Sequence, residues 1–267
     1  MLTDIIKIDL EFDVWECLER VNDPELDEPL TDMGFIERIE VIDGHHVEVG
    51  FRLPTYWCSP NFAFLMAFGI RREVERLRWV RSIHVELSDH CFGDEVNEGV
   101  NSGRAFSAVF AEYCDGADLA EVVATFEAKA FDRRQEAVLL DLHRRGFSAE
   151  QIVSMTMAEF DDIDLRDADA IKQKPRYREL LLSCGLAEDP GDLSFPTWEG
   201  QKIAAGLLPQ HFERLRGVRI NMEFNGAMCR GLAATRYKEV EIGPDGPTLV
   251  DFIAGRVPPQ EGARAHH

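Results

Sequence analysis

Two alternating runs joined by a turn constrain this chain more than any other feature. Ile36 to Val41 (IERIEV) alternates apolar and polar residues from Arg38 on, and His46 to Leu53 (HVEVGFRL) alternates throughout, with Asp43-Gly44 between them. Period-two alternation suits a strand with one buried face, so the arrangement predicts an antiparallel hairpin. Pro54 then withholds a backbone donor, and Pro60 opens an apolar run (NFAFLMAFGIRREVERL) spaced as a helix with proline in its first turn. Phe62, Phe64, Leu65, Phe68, Ile70 and Val74 are expected to cover the sheet, and Ser82 to Leu87 (SIHVEL) supplies a third strand. Cys58 therefore falls in a strand-to-helix loop beside a helix N-terminus. Unpaired N–H groups and the helix dipole there favour the thiolate, the form that binds metal or attacks.

Upstream, VWECLERV places Val14, Cys17, Leu18 and Val21 on one helical face, so Cys17 reads as a buried small hydrophobe. A turn at Asp23, Pro24 and Glu25 follows. Its carboxylates read either as an Asx-turn with a solvated acid, or as groups that contact metal or orient the Cys58 thiol. Arg71, Arg72, Arg76, Arg78 and Arg81 read as a solvated face paired with Glu73 and Glu75, with a docking patch for an acidic partner as the alternative. His45 and His46 flank a turn tip and are expected to face solvent.

The DPE turn, Asp32 and Gly34, the hairpin, Thr55-x-x-Cys58, the helix and the strand at Ser82 to Leu87 together resemble the SufT/PaaD family of metal–sulfur cluster assembly proteins. The resemblance covers roughly residues 10 to 103. Family members usually carry Cys-Pro, where this chain has Ser59 between Cys58 and Pro60, and many carry an aromatic after the last strand, where this chain has Asp89-His90-Cys91-Phe92. The resemblance implies a role in maturing iron–sulfur or related metalloproteins, with Cys58 as the functional thiol and Asp23, Glu25 and Thr55 in support.

The stretch SDHCFGDEVNEGVNSG gathers Asp89, His90, Cys91, Asp94 and Glu95 in what reads as a Gly-rich loop. Adjacent side chains rarely aim at one ion, so His90 and Cys91 are not expected to ligate together with Cys58. Cys58 with Cys91 is the arrangement to examine, since both follow strands. The six cysteines contain no Cys-x-x-Cys. That spacing excludes a zinc ribbon, and a disulfide framework does not suit a cytosolic chain of this size.

The Gly/Asn/Ser cluster from Gly93 to Gly103 marks an expected boundary: residues 1–103 as the assembly-like domain, 104–255 as a mainly helical extension with C-terminal strands, and 256–267 as a disordered tail. Past it the period becomes helical. Asp118 caps a long run ending at Gly146, Ser148 and Gln151 form a capping box for a helix through Phe160, another helix opens at Pro175, and one more runs from Pro196 towards Pro209. The helix–turn–helix look of residues 142 to 165 is not a DNA reader, because the second helix lacks Arg and Lys and carries Glu150 and Glu159. Met155 and Met157 read as core filler. Arg219 to Phe224, Arg236 to Ile242 and Thr248 to Phe252 read as strands, with turns at Asn225-Gly226 and Gly243 to Gly246. Cys229 then lies in a loop and completes a site with Cys58 and Cys91 if the second domain folds over the first. The tail from Arg256 closes in His266-His267, read as an expression remnant.

The fold class expected is α+β: a small helix and three-stranded-sheet domain, then a mainly helical region ending in a short β-hairpin. With 29 basic and 49 acidic residues the net charge is −20. Such a surface repels phosphate backbones and anionic lipid, which argues against nucleic-acid and membrane roles. The N-terminus lacks the basic start and long apolar core of a signal peptide, so a cytoplasmic protein is expected. No phosphate loop, HExxH helix or nucleophile elbow supports enzymatic turnover. The expected function is an assembly or maturation factor that carries iron or an iron–sulfur cluster transiently, with Cys58, Cys91, His90 and Cys229 as the candidate ligands. Its expected partners are a client metalloprotein, first an oxygenase component, and the iron–sulfur assembly machinery, and a homodimer stays open. The alternative is a metal-free adaptor or chaperone-like protein that stabilises an oxygenase component.

Overall fold

In the computed structural model, which describes residues 2–111, 119–237 and 248–253, the two alternating runs form a hairpin. The chain opens with helix α1 (Leu2–Leu18), which leads through the Asp23 turn to strands β1 (Ile36–Ile42) and β2 (His46–Arg52). Helix α2 (Pro60–Val74) then crosses to strand β3 (Ser82–Ser88), so β2 is the centre of a β1-β2-β3 sheet. β1 pairs antiparallel to β2, with Val41 opposite Val47, while β3 runs parallel to β2, with Val85 opposite Val49. The turn takes positive φ at Asp43 (53°) and Gly44 (71°), which selects these residue types. Val47, Val49, Phe51, Val85 and the β1 residues Ile36, Ile39 and Val41 are buried.

α2 covers the sheet with Ala63, Phe64, Met66, Ala67, Ile70 and Val74, whereas Phe68 is 47 % exposed. The sequence reading placed Phe68 on the covered face. The face is instead set by the small residues Ala63 and Ala67, which allow close approach. Three residues of the basic run pair as read: Arg71 meets Glu75 at 2.8 Å, and the buried Glu73 takes Arg72 and Arg76 at 3.3 and 2.7 Å, together with Arg20 at 3.3 Å. Cys17 is buried, as its helical face requires.

Where the sequence suggested a Gly-rich loop, helix α3 (Gly93–Asn101) forms, followed by the short α4 (Phe106–Val109). The reason is tertiary. Asn97 and Asn101, one helical turn apart, each accept from and donate to the outer edge of β3: Leu87 N–H donates to Asn97 Oδ1 (2.7 Å) and Val85 N–H to Asn101 Oδ1 (2.9 Å), while the two amide groups donate back to the Leu87 (3.1 Å) and Val85 (2.8 Å) carbonyls. The helix stands in for a fourth strand and closes an edge that would otherwise expose unpaired backbone. Gly99 is required here, since a Cβ would come within 2.4 Å of Val109.

Beyond it the chain is helical: α5 (Ala120–Arg144), α6 (Ala149–Ser154), α7 (Met157–Asp162), α8 (Ala168–Ser183), a 3₁₀ turn (Ala205–Leu207), α9 (Leu208–Arg236) and α10 (Leu249–Ile253). The run expected as one helix from Ala149 to Phe160 divides at Met155 because Thr156 and Glu159 form a second capping box. α8 begins at its Asp167 cap and keeps Pro175 inside. The helix expected from Pro196 is irregular, held by a bridge between Pro196 and Lys202 and by Gly200 at φ 76°. A larger correction concerns α9. Arg219 to Phe224 is helix and not strand, and Asn225-Gly226 is no turn. The alternation in RINMEF coincides with a helical face on which Leu215 and Met222 are buried while Ile220 and Phe224 are exposed, supported by Arg219 to Glu223 at 3.0 Å. Residues Leu249 to Ile253 are also helical, so the strand expected at Thr248 to Phe252, and with it the closing hairpin, is not formed. Asp118, Cys114, most of Arg236 to Ile242, the Gly243 to Gly246 turn and the tail lie outside the described residues.

The chain divides into two compact units, residues 1–119 with 227–267, and residues 120–226. In the first, α10 packs on β1 and α1. In the second, Phe131, Val138, Leu142, Ile152, Phe160, Tyr177 and Leu181 form a core of their own, with Met155 and Met157 buried in it. No described helix is long and apolar enough to cross a membrane.

Candidate functional site

Cys58 sits one residue before Ser59, the cap residue of α2, and is half-buried. Pro60 at the first helical position fixes where the loop must end. The Thr55 hydroxyl lies 3.2 Å from Cys58 Sγ, placed to donate to a deprotonated sulfur. Tyr56 and Trp57, edge to face at 4.8 Å, are exposed beside it, Trp57 at 77 %.

A second loop, after β3, is tied to this one. Cys91 N–H donates to the Tyr56 carbonyl at 3.0 Å, and His90 Nε2 lies 2.9 Å from the Cys58 carbonyl. A carbonyl only accepts, so Nε2 carries the proton, and Nδ1 accepts from Phe92 N–H at 3.1 Å. Both ring nitrogens are engaged, and burial lowers the pKa of His90 further. In this arrangement His90 tethers the Cys58 loop. Asp94 and Glu95 belong to the first turn of α3, and Cys91 is half-buried.

The acidic corner is an Asx-turn. Asp23 Oδ1 accepts from the N–H groups of Glu25 (2.9 Å) and Leu26 (3.0 Å), while Asp23 N–H donates to the Glu28 carbonyl (2.9 Å). Asp23 is nevertheless buried, and desolvation raises its pKa to about 6 despite those two bonds.

The last turns of α9 return to this corner, in the same compact unit. Arg230 Nη1 lies 2.5 Å from Glu28, Arg236 Nη2 2.6 Å from Asp89, and the Tyr237 hydroxyl donates to the Leu53 carbonyl at 2.9 Å with the Arg52 guanidinium 3.6 Å over its ring. Cys229 is thereby brought to the site from a helix and not from a loop. Burial, then the charges of Asp23, Cys58 and Glu25, push its thiol up to about 11, with Arg230 offsetting a little. The structure thus gathers Cys58, Cys229, Asp23, Glu25 and Thr55, with Cys91 and His90 on the adjoining loop. Among the described residues no three His, Cys, Asp or Glu side chains form a group able to hold a metal ion. Nothing in the sequence marks Arg230, Arg236 and Tyr237: Arg230 falls in a stretch read as loop, and Arg236 and Tyr237 open a stretch read as strand, whereas Arg230 and Arg236 lie on α9 with Tyr237 directly after it.

Residues 11–87 match a family model described as iron–sulfur cluster assembly protein. The N-terminal part of the chain is similar to that family. The assembly-domain match contains Asp23, Glu25, Thr55 and Cys58 and ends just before Asp89, so His90, Cys91 and Cys229 lie beyond it. The family is one of assembly factors, which gives the domain a general role in iron–sulfur cluster assembly. Among curated proteins, none matches the chain.

Proposed function

We propose that the assembly domain carries iron or an iron–sulfur cluster as cargo at Cys58 and hands it to a client metalloprotein. The observation that carries this reading is a half-exposed Cys58 inside the family-matched stretch, with a second thiol, Cys229, and two carboxylates within electrostatic reach. Thr55 steadies the sulfur, and Asp23 and Glu25 balance the charge of a cationic cargo. Cys229, protonated at neutral pH, joins only where the cargo displaces its proton. Cys91 stands in reserve on the adjoining loop. With so few ligands on the chain, the remaining positions would be filled by the client, the iron–sulfur assembly machinery or a second copy. Release then proceeds by exchange of one thiolate for another, which suits a carrier better than a closed four-ligand site. The SufT/PaaD resemblance points to a component of a multicomponent oxygenase as the client.

The test is iron and acid-labile sulfide measured in anaerobically reconstituted protein, beside client maturation. Cys58→Ser is expected to lose both with the fold retained. Thr55→Val is expected to weaken retention by roughly 10–100-fold, the usual cost of an outer-shell partner. Unimpaired client maturation by Cys58→Ser would replace this reading with that of a metal-free adaptor.

A further inference from the structure

Cys58 precedes the first turn of α2, and the last turn of that helix lies about 21 Å further along its axis. Glu73 stands there with its side chain 3 % exposed, and three guanidinium groups converge on it: Arg20, just after α1, at 3.3 Å, Arg72 at 3.3 Å and Arg76 at 2.7 Å. One cation would neutralise that carboxylate. The three arginine side chains are 55, 60 and 62 % exposed, so they keep N–H donors facing water while one shared anion holds the cluster together.

The loop that leaves α2 adds Arg78 and Arg81, both exposed, whose side chains meet no acid among the described residues. That loop is tied down: Arg81 N–H donates to the His45 carbonyl at 2.8 Å, and Trp79 Nε1 donates to Asp13 at 3.3 Å. Acids border the patch without balancing it. Asp13 is the one that Trp79 holds, Glu75 is taken by Arg71 at 2.8 Å, and Glu16, Glu19 and Asp43 form no ion pair with any of the five guanidinium groups. Complementing the α2 dipole calls for cations in the last turn alone, and Arg78 and Arg81 lie beyond it. Five guanidinium groups are thus set against one carboxylate in a chain of net charge −20.

We propose that this patch docks an acidic protein segment, a short run of Asp and Glu side chains on a partner. The planar fork of each guanidinium matches a carboxylate through two parallel hydrogen bonds. A nucleic acid or an anionic bilayer would extend past the patch and meet the negative charge of the rest of the chain. A short segment stays within about one Debye length, roughly 8 Å, of the cations. Docking here leaves the Cys58 end of α2 open, and it stands whether or not Cys58 carries cargo.

Fluorescence anisotropy of labelled octaglutamate with the full chain at about 0.15 M salt tests it, with octaglutamine, an oligothymidylate and phosphatidylserine vesicles in parallel. Saturable binding of octaglutamate below about 1 mM is expected, weakening as salt rises. Octaglutamine should not bind, and the oligothymidylate and the vesicles should bind more weakly. Arg78→Glu with Arg81→Glu, which leaves the Glu73 cluster intact, should weaken octaglutamate binding about tenfold or more with the melting temperature unchanged. Lys202→Glu with Arg216→Glu, an equal change of net charge at exposed positions of the helical unit, should weaken it by less than about threefold. The proposal is overturned by no saturation at about 1 mM, by binding of octaglutamine as tight as that of octaglutamate, by an unaltered affinity in the Arg78 and Arg81 double variant, or by equal losses in the two double variants. Tighter binding of the oligothymidylate or the vesicles overturns it in favour of a phosphate-bearing partner. A dimer, seen by light scattering, that the Arg78 and Arg81 reversals dissociate overturns it in favour of a second copy of this chain.

Discussion

His90 donates from Nε2 to the Cys58 carbonyl and accepts at Nδ1 from Phe92, so its neighbours decide its role before any metal does. Removing the ring leaves a backbone carbonyl and a backbone N–H without partners. His90→Ala should therefore speed hydrogen exchange at the Cys91 amide and loosen the Cys58 loop at a cost of roughly 1–3 kcal/mol. His90→Gln, which keeps a donor, should restore much of it, whereas a histidine acting as ligand would not be rescued. His211 makes a pH prediction. It is buried against Gln135, whose amide bonds to Tyr177 and the Pro196 carbonyl, and desolvation holds its pKa down to about 4 from 6.5. Between those values the unfolded chain binds a proton that the folded chain refuses. The stabilisation is complete above pH 6.5 and fades as pH falls towards 4, by an amount on the order of 2 kcal/mol. Asp23, raised from 3.8 to about 6, works in the opposite direction: its contribution is present below 3.8 and lost as pH rises through 6. The readout is therefore the difference in melting temperature between wild type and His211→Gln, which should narrow as pH falls from 7 to 5.

At the scale of elements, α3 and α9 carry what the chain's local patterns concealed. The Gly and Asn residues of α3 are poor helix formers, yet Asn97 and Asn101 each exchange two hydrogen bonds with β3. Asn97→Leu with Asn101→Leu should expose that strand edge to water or to another chain. Aggregation at raised concentration and loss of amide protection at Val85 and Leu87 are the expected signs. The end of α9 is fixed to the site by Arg236 and Tyr237. Arg236→Ala with Tyr237→Phe, which removes those contacts, should raise the rate of maleimide labelling at the half-buried Cys58 several-fold. Unchanged labelling would show that this helix end leaves Cys58 open.

The molecule as a whole is two units with separate cores, threaded by one helix that contributes residues to both. Leu142→Ala in the helical core should cost about 2–5 kcal/mol and strip protection from α5 to α8 while β1 to β3 keep theirs. The hairpin, α2, the third strand, the Asp23 turn and the Cys58 loop were all legible in the sequence, because period-two alternation, turn dipeptides and prolines act within a few residues of where they stand. So was the resemblance that named Cys58. Local pattern could not distinguish strand from helix in RINMEF, where an alternating hexamer fits both periods and only the buried face of Leu215 and Met222 decides. It could not see that a Gly/Asn stretch would be held helical by a strand edge, since that edge comes from another part of the chain. The arrival of Cys229 within electrostatic reach of Cys58, 171 positions earlier, belongs to the same class. A thiol is placed by the helix beneath it and by the ion pairs at that helix's end, and those form only when the two ends of the chain meet.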